Sequence, residues 1–302
     1  MTRLERLDQM LDGQVMAMLD QLDIVSRKIF SGKIQGERRS RRRGQSVEFA
    51  DFRPYVHGDD LRFVDWNIYG RLDRLFLKLF LEDEDLSLVV AVDRSGSMGY
   101  GDPSKFDYAR RLAMALGYIG LVNHNRVTLC AFGGAGGVAR SNAMRGRRRT
   151  SEMGRWLLAL EASGDAGFDD AMRSIALSRH GRGVLVVISD FLVPGGTDRG
   201  LRYVCGRGFD VHAIQLLAPE ELEPAEHGVS GDLRLVDLES GAETEVTATA
   251  AVVRTYRESL DAHVAALREF CVRRGITHTL VPTTMKLDTL LVDYLRRRGL
   301  VS

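Results

Sequence analysis

Residues 86–97 read Leu86-Ser87-Leu88-Val89-Val90-Ala91-Val92-Asp93-Arg94-Ser95-Gly96-Ser97. Leu86–Val92 is short and apolar with no polar alternation, the pattern of a strand buried on both faces of a parallel sheet. It ends on a carboxylate, and two hydroxyls follow at alternate positions, Ser95 and Ser97. A second run, Gly183–Ser189 (Gly-Val-Leu-Val-Val-Ile-Ser), has the same character and is followed by Asp190. Ligands of open α/β sheets bind beyond the carboxyl ends of the strands, so these two ends are where a site is expected.

Outward from this pair the chain keeps an α/β rhythm. Helices are expected over Ser104–Val122, Ser151–Leu160, Asp169–Ser178, Thr197–Cys205 and about Ala251–Arg274, with Gly275 as C-cap. Strands are expected over Arg126–Phe132, Phe209–Leu217 and Ile276–Val281, and a last helix over Leu287–Arg298. Strands alternating with helices predict a doubly wound, mostly parallel sheet with right-handed crossovers. Asp232–Leu238 and Glu243–Thr247, around Ser240-Gly241, read as a hairpin.

Upstream, Leu4, Leu7, Leu11, Val15, Met18, Leu22, Val25 and Ile29 recur every three or four residues and predict one amphipathic helix whose stripe needs cover. A basic stretch, Arg38–Arg43, comes next, read as a solvated surface. Gly58-Asp59 marks a turn, and Leu75–Leu81 is strand-like. Pairing of Asp60 or Asp65 with Arg62 or Arg71, around a buried Trp66, would organise this small segment. The division expected is 1–32 as helix, 33–84 as small segment and 85–302 as main domain.

Composition narrows the function classes. The 302 residues are 44% hydrophobic and 27% charged, an ordinary globular balance that excludes wholesale disorder. A net charge of +1 does not indicate a generally basic nucleic-acid binder. Cys130, Cys205 and Cys271 are odd in number and far apart, which suits free thiols in a reducing compartment. Charges interrupt the first 23 residues, and no apolar run reaches the about 20 residues of a membrane span, so a cytoplasmic protein is expected.

A turn that gathers Asp93, Ser95 and Ser97, with Asp190 from a neighbouring strand, offers hard oxygen donors suited to Mg²⁺. These residues resemble the metal-ion-dependent adhesion site of von Willebrand factor A-type domains, whose first motif is Asp-x-Ser-x-Ser and whose later aspartate corresponds to Asp190. The resemblance implies a von Willebrand A-like fold and a metal completed by an acidic residue of a client protein. It also implies a threonine where this chain has Ala166, next to Asp165 as a substitute ligand. A wider likeness spans roughly residues 36–300. Gly44-x-x-x-Glu48-Phe49, Arg53-x-Tyr55, Gly58-Asp59-Asp60-x-Arg62, Asp65-Trp66 and Arg71 precede the Asp93 motif. Leu235-Val236-Asp237-x-Glu239-x-Gly241, Tyr256, Leu267 and Gly275-Ile276 follow it. This order resembles the bacterial family catalogued as domain of unknown function fifty-eight. That resemblance implies a partner, a MoxR-type AAA+ ATPase, in chaperone-like assembly or metal insertion.

Rival chemistries are weaker. Gly134-x-Gly136-x-x-Ala139 has no helix directly after it and no acidic ribose ligand about 20 residues on, so it reads as a flexible turn near a sheet edge and not a dinucleotide loop. There is no phosphate loop for ATP hydrolysis. A hydrolase needs an activated nucleophile, yet Ser95 and Ser97 lack a nucleophile elbow and the seven histidines are scattered. The Arg38–Arg43 and Arg145–Arg149 clusters could meet nucleic acid or an anionic membrane, but neither is interleaved with aromatic residues for base stacking. The expectation is a non-enzymatic interaction protein.

Overall fold

The computed structural model describes residues 7–11, 13–26, 48–57, 59–81, 86–134, 136–178, 183–238 and 241–302. Leu4, Ile29, the Arg38–Arg43 cluster, Gly44, Gly58, Ala135, Glu239 and Ser240 lie outside them. The chain divides into two compact units, residues 32–85 and, around the main sheet, 1–31 with 86–302.

In the smaller unit β1 (Glu48–Pro54) pairs antiparallel with β2 (Phe76–Leu81). Between them lies helix α3 (Trp66–Leu72), capped by Asp65, whose Oδ1 accepts from the amides of Asn67 and Ile68. Asp65 also pairs with Lys78 at 3.0 Å, Asp60 with Arg62 at 2.6 Å, and Asp59 with Arg53 at 2.5 Å. Trp66 is not buried as expected: it is 61% exposed and meets Tyr69 edge to face. The capping demand on Asp65 sets the start of α3 and leaves Trp66 as its first residue, on the outer side.

The larger unit holds the six-stranded sheet, in the order β10-β7-β6-β3-β4-β5. Its strands are β3 (Ser87–Asp93), β4 (Arg126–Phe132), β5 (Ala139–Arg140), β6 (Gly183–Ser189), β7 (Asp210–Leu217) and β10 (Thr277–Pro282). All pairings are parallel except that of the short edge strand β5 with β4. The doubly wound, mostly parallel α/β class read from the sequence is the class observed. Between β7 and β10, β8 (Gly231–Val236) and β9 (Glu243–Ala248) form the expected hairpin.

Successive residues of β3 point to opposite faces and feed two cores. Leu88, Val90 and Val92 join α4 (Lys105–Val122) and α5 (Thr150–Leu158), whereas Val89 and Ala91 join α6 (Phe168–Leu177), α7 (Asp198–Cys205) and the end of α9 (Ala250–Arg274). The expected last helix runs over residues 287–297, with α geometry at Leu287–Thr289, π geometry at Leu290–Leu295 and α geometry again at 296–297.

The N-terminal stripe does not form one helix. It makes α1 (Leu7–Met10) and α2 (Gly13–Leu19), then runs extended. Leu11 is a bend after α1, and Gly13, which would cost freedom in the middle of one long helix, stands at the first position of α2. The extended stretch gains bonds from the C-terminus: Val25 N–H donates to Leu300, Ser302 N–H to Asp23, and Ile24 bridges Val301. Met10, Leu11, Leu19, Leu22 and Ile24 are buried in the core beside α4.

Candidate functional site

The chain runs from β3 outward to β4 and β5, then crosses back to lay β6 on the other side of β3. The crevice between β3 and β6 is therefore the topological switch point, where strand order reverses and ligands of such folds bind. Asp93 ends β3 and Asp190 follows β6, so both expected carboxylates lie at this crevice.

Local geometry gathers the first motif. The Ser95 amide donates to Asp93 Oδ1 at 2.9 Å, and the Ser95 and Ser97 hydroxyls hydrogen-bond each other at 3.1 Å. Ser189 Oγ, from the adjoining strand end, donates to Asp93 Oδ2 at 2.6 Å. Burial, and then the Asp190 carboxylate, push Asp93 up to about 7. The structure thus brings together Asp93, Ser95, Ser97 and Asp190.

Three loops are locked around these residues by backbone bonds. Gly96 N–H donates to Gly164, Ser163 N–H to Arg94, Gly134 N–H to Asp165, and Arg94 N–H to Phe132. The glycine run after β4 makes this approach possible. Gly133 has φ +99°, and a Cβ there would stand 2.8 Å from the Ser95 amide nitrogen. Gly133 and Gly134 lie in the turn from β4 to the edge strand β5, as expected, and are also the wall on which the Asp93 loop rests. The clue in the sequence was consecutive glycines directly after a buried strand.

Asp165 and Ala166 lie in the loop ahead of α6. The Asp165 side chain turns away to accept from the Gly167 amide at 2.6 Å, ahead of α6. Ala166 is buried in the apolar cluster of Phe132, Phe168 and Phe191. A threonine at 166 would face that cluster.

The residue that sequence reading missed is Lys105, the first of α4. Its side chain is 1% exposed, and Nζ lies 2.8 Å from Asp190 Oδ2 and 2.6 Å from Glu221 Oε1. Burial works against its charge, but Asp190 and Glu221 outweigh burial and raise its proton affinity. Glu221 Oε2 accepts from the Ala218 amide at 2.7 Å, at the start of α8 (Pro219–Leu222), and Asp190 Oδ1 accepts from Leu192 at 3.1 Å. Behind Asp190, Gln215 Nε2 donates to its carbonyl at 2.9 Å, and Gln215 Oε1 lies 3.0 Å from His278 Nε2. A clue existed: a lysine in the first turn opposes the helix dipole, which favours acids there.

The expected Mg²⁺ is not matched by this donor set. Every carboxylate oxygen of Asp93 and Asp190 already accepts from a protein donor, and for Asp190 one donor is an ammonium. The threonine oxygen is absent at Ala166.

The rim of the crevice carries exposed apolar and aromatic groups. Tyr100 is 40% exposed, Leu192 37% and Tyr256 41%. Glu221 acts on both tyrosines, and burial with Glu221 and Tyr100 pushes Tyr256 up to about 12. His263 Nε2 lies 3.0 Å from the Phe191 carbonyl and Arg257 donates to Glu223 at 2.7 Å, which tie α9 to this end of the sheet.

Arginines of the Arg145–Arg149 cluster are engaged within the protein. Arg147 pairs with Asp20 at 3.3 Å and lies over the Tyr118 ring, and Arg149 pairs with Glu152 at 2.6 Å. The serine hydroxyls at the crevice bond each other and support Asp93; among the described residues neither meets a histidine, so no nucleophile–base pair is assembled. No helix among the described residues is long and apolar enough to cross a membrane.

The model of the family "Protein of unknown function DUF58" matches residues 51–266. The uncharacterized proteins Mb1516 of Mycobacterium bovis and Rv1480 of Mycobacterium tuberculosis are each 29% identical over 259 residues, covering 84% of this chain and 80% of theirs. Among solved structures, BatB from Bacteroides thetaiotaomicron covers 65% of this chain and 90% of its own at 14% identity and TM-score 0.40. The SpRpn10 VWA domain covers 67% and 90% at 11% identity and TM-score 0.37. The fold assignment rests on the strand order given above. The chain belongs to the DUF58 family.

Proposed function

We propose that this chain is a non-enzymatic protein-interaction module that docks a partner on the rim of the β3–β6 crevice. The observation that carries the reading is the trio Tyr100, Leu192 and Tyr256, large apolar groups left exposed around a strand-end crevice. Tyrosine supplies contact area at low entropy cost, and interfaces are enriched in it. The loops beneath are braced by backbone hydrogen bonds, so the surface is presented with little ordering left to do on binding. The family resemblance points to a MoxR-type AAA+ ATPase as the partner, with this chain as its adaptor in assembly.

The test is co-purification of the wild-type chain and of a Tyr100→Ala/Tyr256→Ala double variant with nucleotide trapped. Recovery of a MoxR-type ATPase by the wild type, and at least a tenfold loss in the variant, is the expected result. No ATPase with either protein overturns the adaptor reading, and equal recovery with both moves the surface elsewhere.

A further inference from the structure

We propose that Lys105 is the resident cation on the Asp190 side of the crevice, a tethered ammonium that does for Asp190 and Glu221 what a divalent metal would otherwise do, so that the site is metal-independent. The juxtaposition is unusual for its burial. An ammonium at 1% exposure lies within 2.8 Å of one carboxylate and 2.6 Å of another, and these come from separate parts of the fold. Lysines are almost never fully buried unless paired. Here the pairing draws together the start of α4, the loop after β6 and α8 after β7. That is the task of a bound ion in a site of this kind, performed by a side chain that cannot be chelated away.

Charge and geometry both favour the ammonium over a second cation. One positive charge already neutralises Asp190 and offsets Glu221, and a dication beside Asp190 would be repelled by it in a buried, weakly screened setting. The positions that could have added neutral oxygens are used otherwise: Ala166 faces the apolar cluster, and Asp165 turns to Gly167. Ser95 and Ser97 satisfy each other.

Thermal unfolding in EDTA, in Mg²⁺ and in Mn²⁺ tests this, and its readout is separate from partner capture. The wild type is expected to unfold at the same temperature in all three. Lys105→Ala leaves two carboxylates facing a vacated space, so it is expected to unfold earlier in EDTA and to recover part of the loss in Mg²⁺ or Mn²⁺. A wild-type stabilisation by Mg²⁺ that Ser97→Ala abolishes overturns the proposal. So does a Lys105→Ala protein that no divalent ion rescues. If Lys105→Ala does not fold in EDTA, expression and refolding with Mn²⁺ present give the same two outcomes: folded protein supports the proposal, and none overturns it.

Discussion

At the scale of single residues, the Lys105–Asp190–Glu221 cluster sets the largest expected effects. Removing one partner of a buried pair leaves the other charge uncompensated, which costs about 3–5 kcal/mol. Asp190→Ala is therefore expected to lower the urea unfolding free energy by about that much, and Asp190→Asn, which keeps a polar acceptor for Lys105 and Leu192, by less. Ala166→Thr tests the side chain's direction. A hydroxyl forced among Phe132, Phe168 and Phe191 costs about 1–3 kcal/mol. If that loop presented position 166 to the crevice instead, the same substitution would be neutral and would add a Mg²⁺ response in calorimetry. Gly133→Ala combines positive φ with a close approach to Ser95, so a loss above about 1 kcal/mol is expected in urea denaturation.

At the scale of elements, the N-terminal segment shows how tertiary bonding overrides periodicity. Its stripe has helical spacing throughout, yet residues 24 and 25 bond to the C-terminal residues in β fashion. Two amphipathic turns bury Met10 and Leu19, and Tyr118 Oη donates to Asp20 at 2.7 Å to hold the second of them. Amide exchange at Val25 is expected to be slow in the whole chain, and fast once residues 300–302 are removed, because Val25 N–H donates to Leu300. Unchanged protection after that truncation would show that α1 and α2 alone hold the segment.

At the scale of the whole molecule, His278 and Asp93 pull stability in opposite directions on mild acidification. Burial, then Arg298 and Arg268, push the His278 pKa down from the usual 6.5 to about 4. At this site the unfolded state therefore binds more protons than the folded one between those values, and the contribution of His278 to stability rises with pH across that window and levels off above it. A shift of this size corresponds to about 3 kcal/mol at full effect. Asp93, held up at about 7, gains a proton in the fold over the same range and adds stability, so the His278 part is read as a difference: from pH 7 to pH 4.5 the urea midpoint of the wild type should drop relative to that of His278→Gln. Parallel curves would mean that His278 protonates freely in the fold.

Strand runs, helix caps and the strand-end aspartates were legible in the sequence because each is a local property. A parallel strand buried on both faces must be apolar throughout, as Leu88–Val92 and Val184–Ile188 are, and Gly275 had to take the left-handed conformation that ends α9, with φ +66°. Helical spacing alone misread residues 22–26, because their β-type partners lie at the far end of the chain. The cation of the site was equally hidden. Lys105 is 85 residues from Asp190 and 116 from Glu221, and no spacing rule links them. The sequence by itself determined the sheet and the place of its crevice. Only the tertiary structure decided what neutralises the charge there, since burial at the switch point turns a first-turn lysine and two distant carboxylates into one cluster.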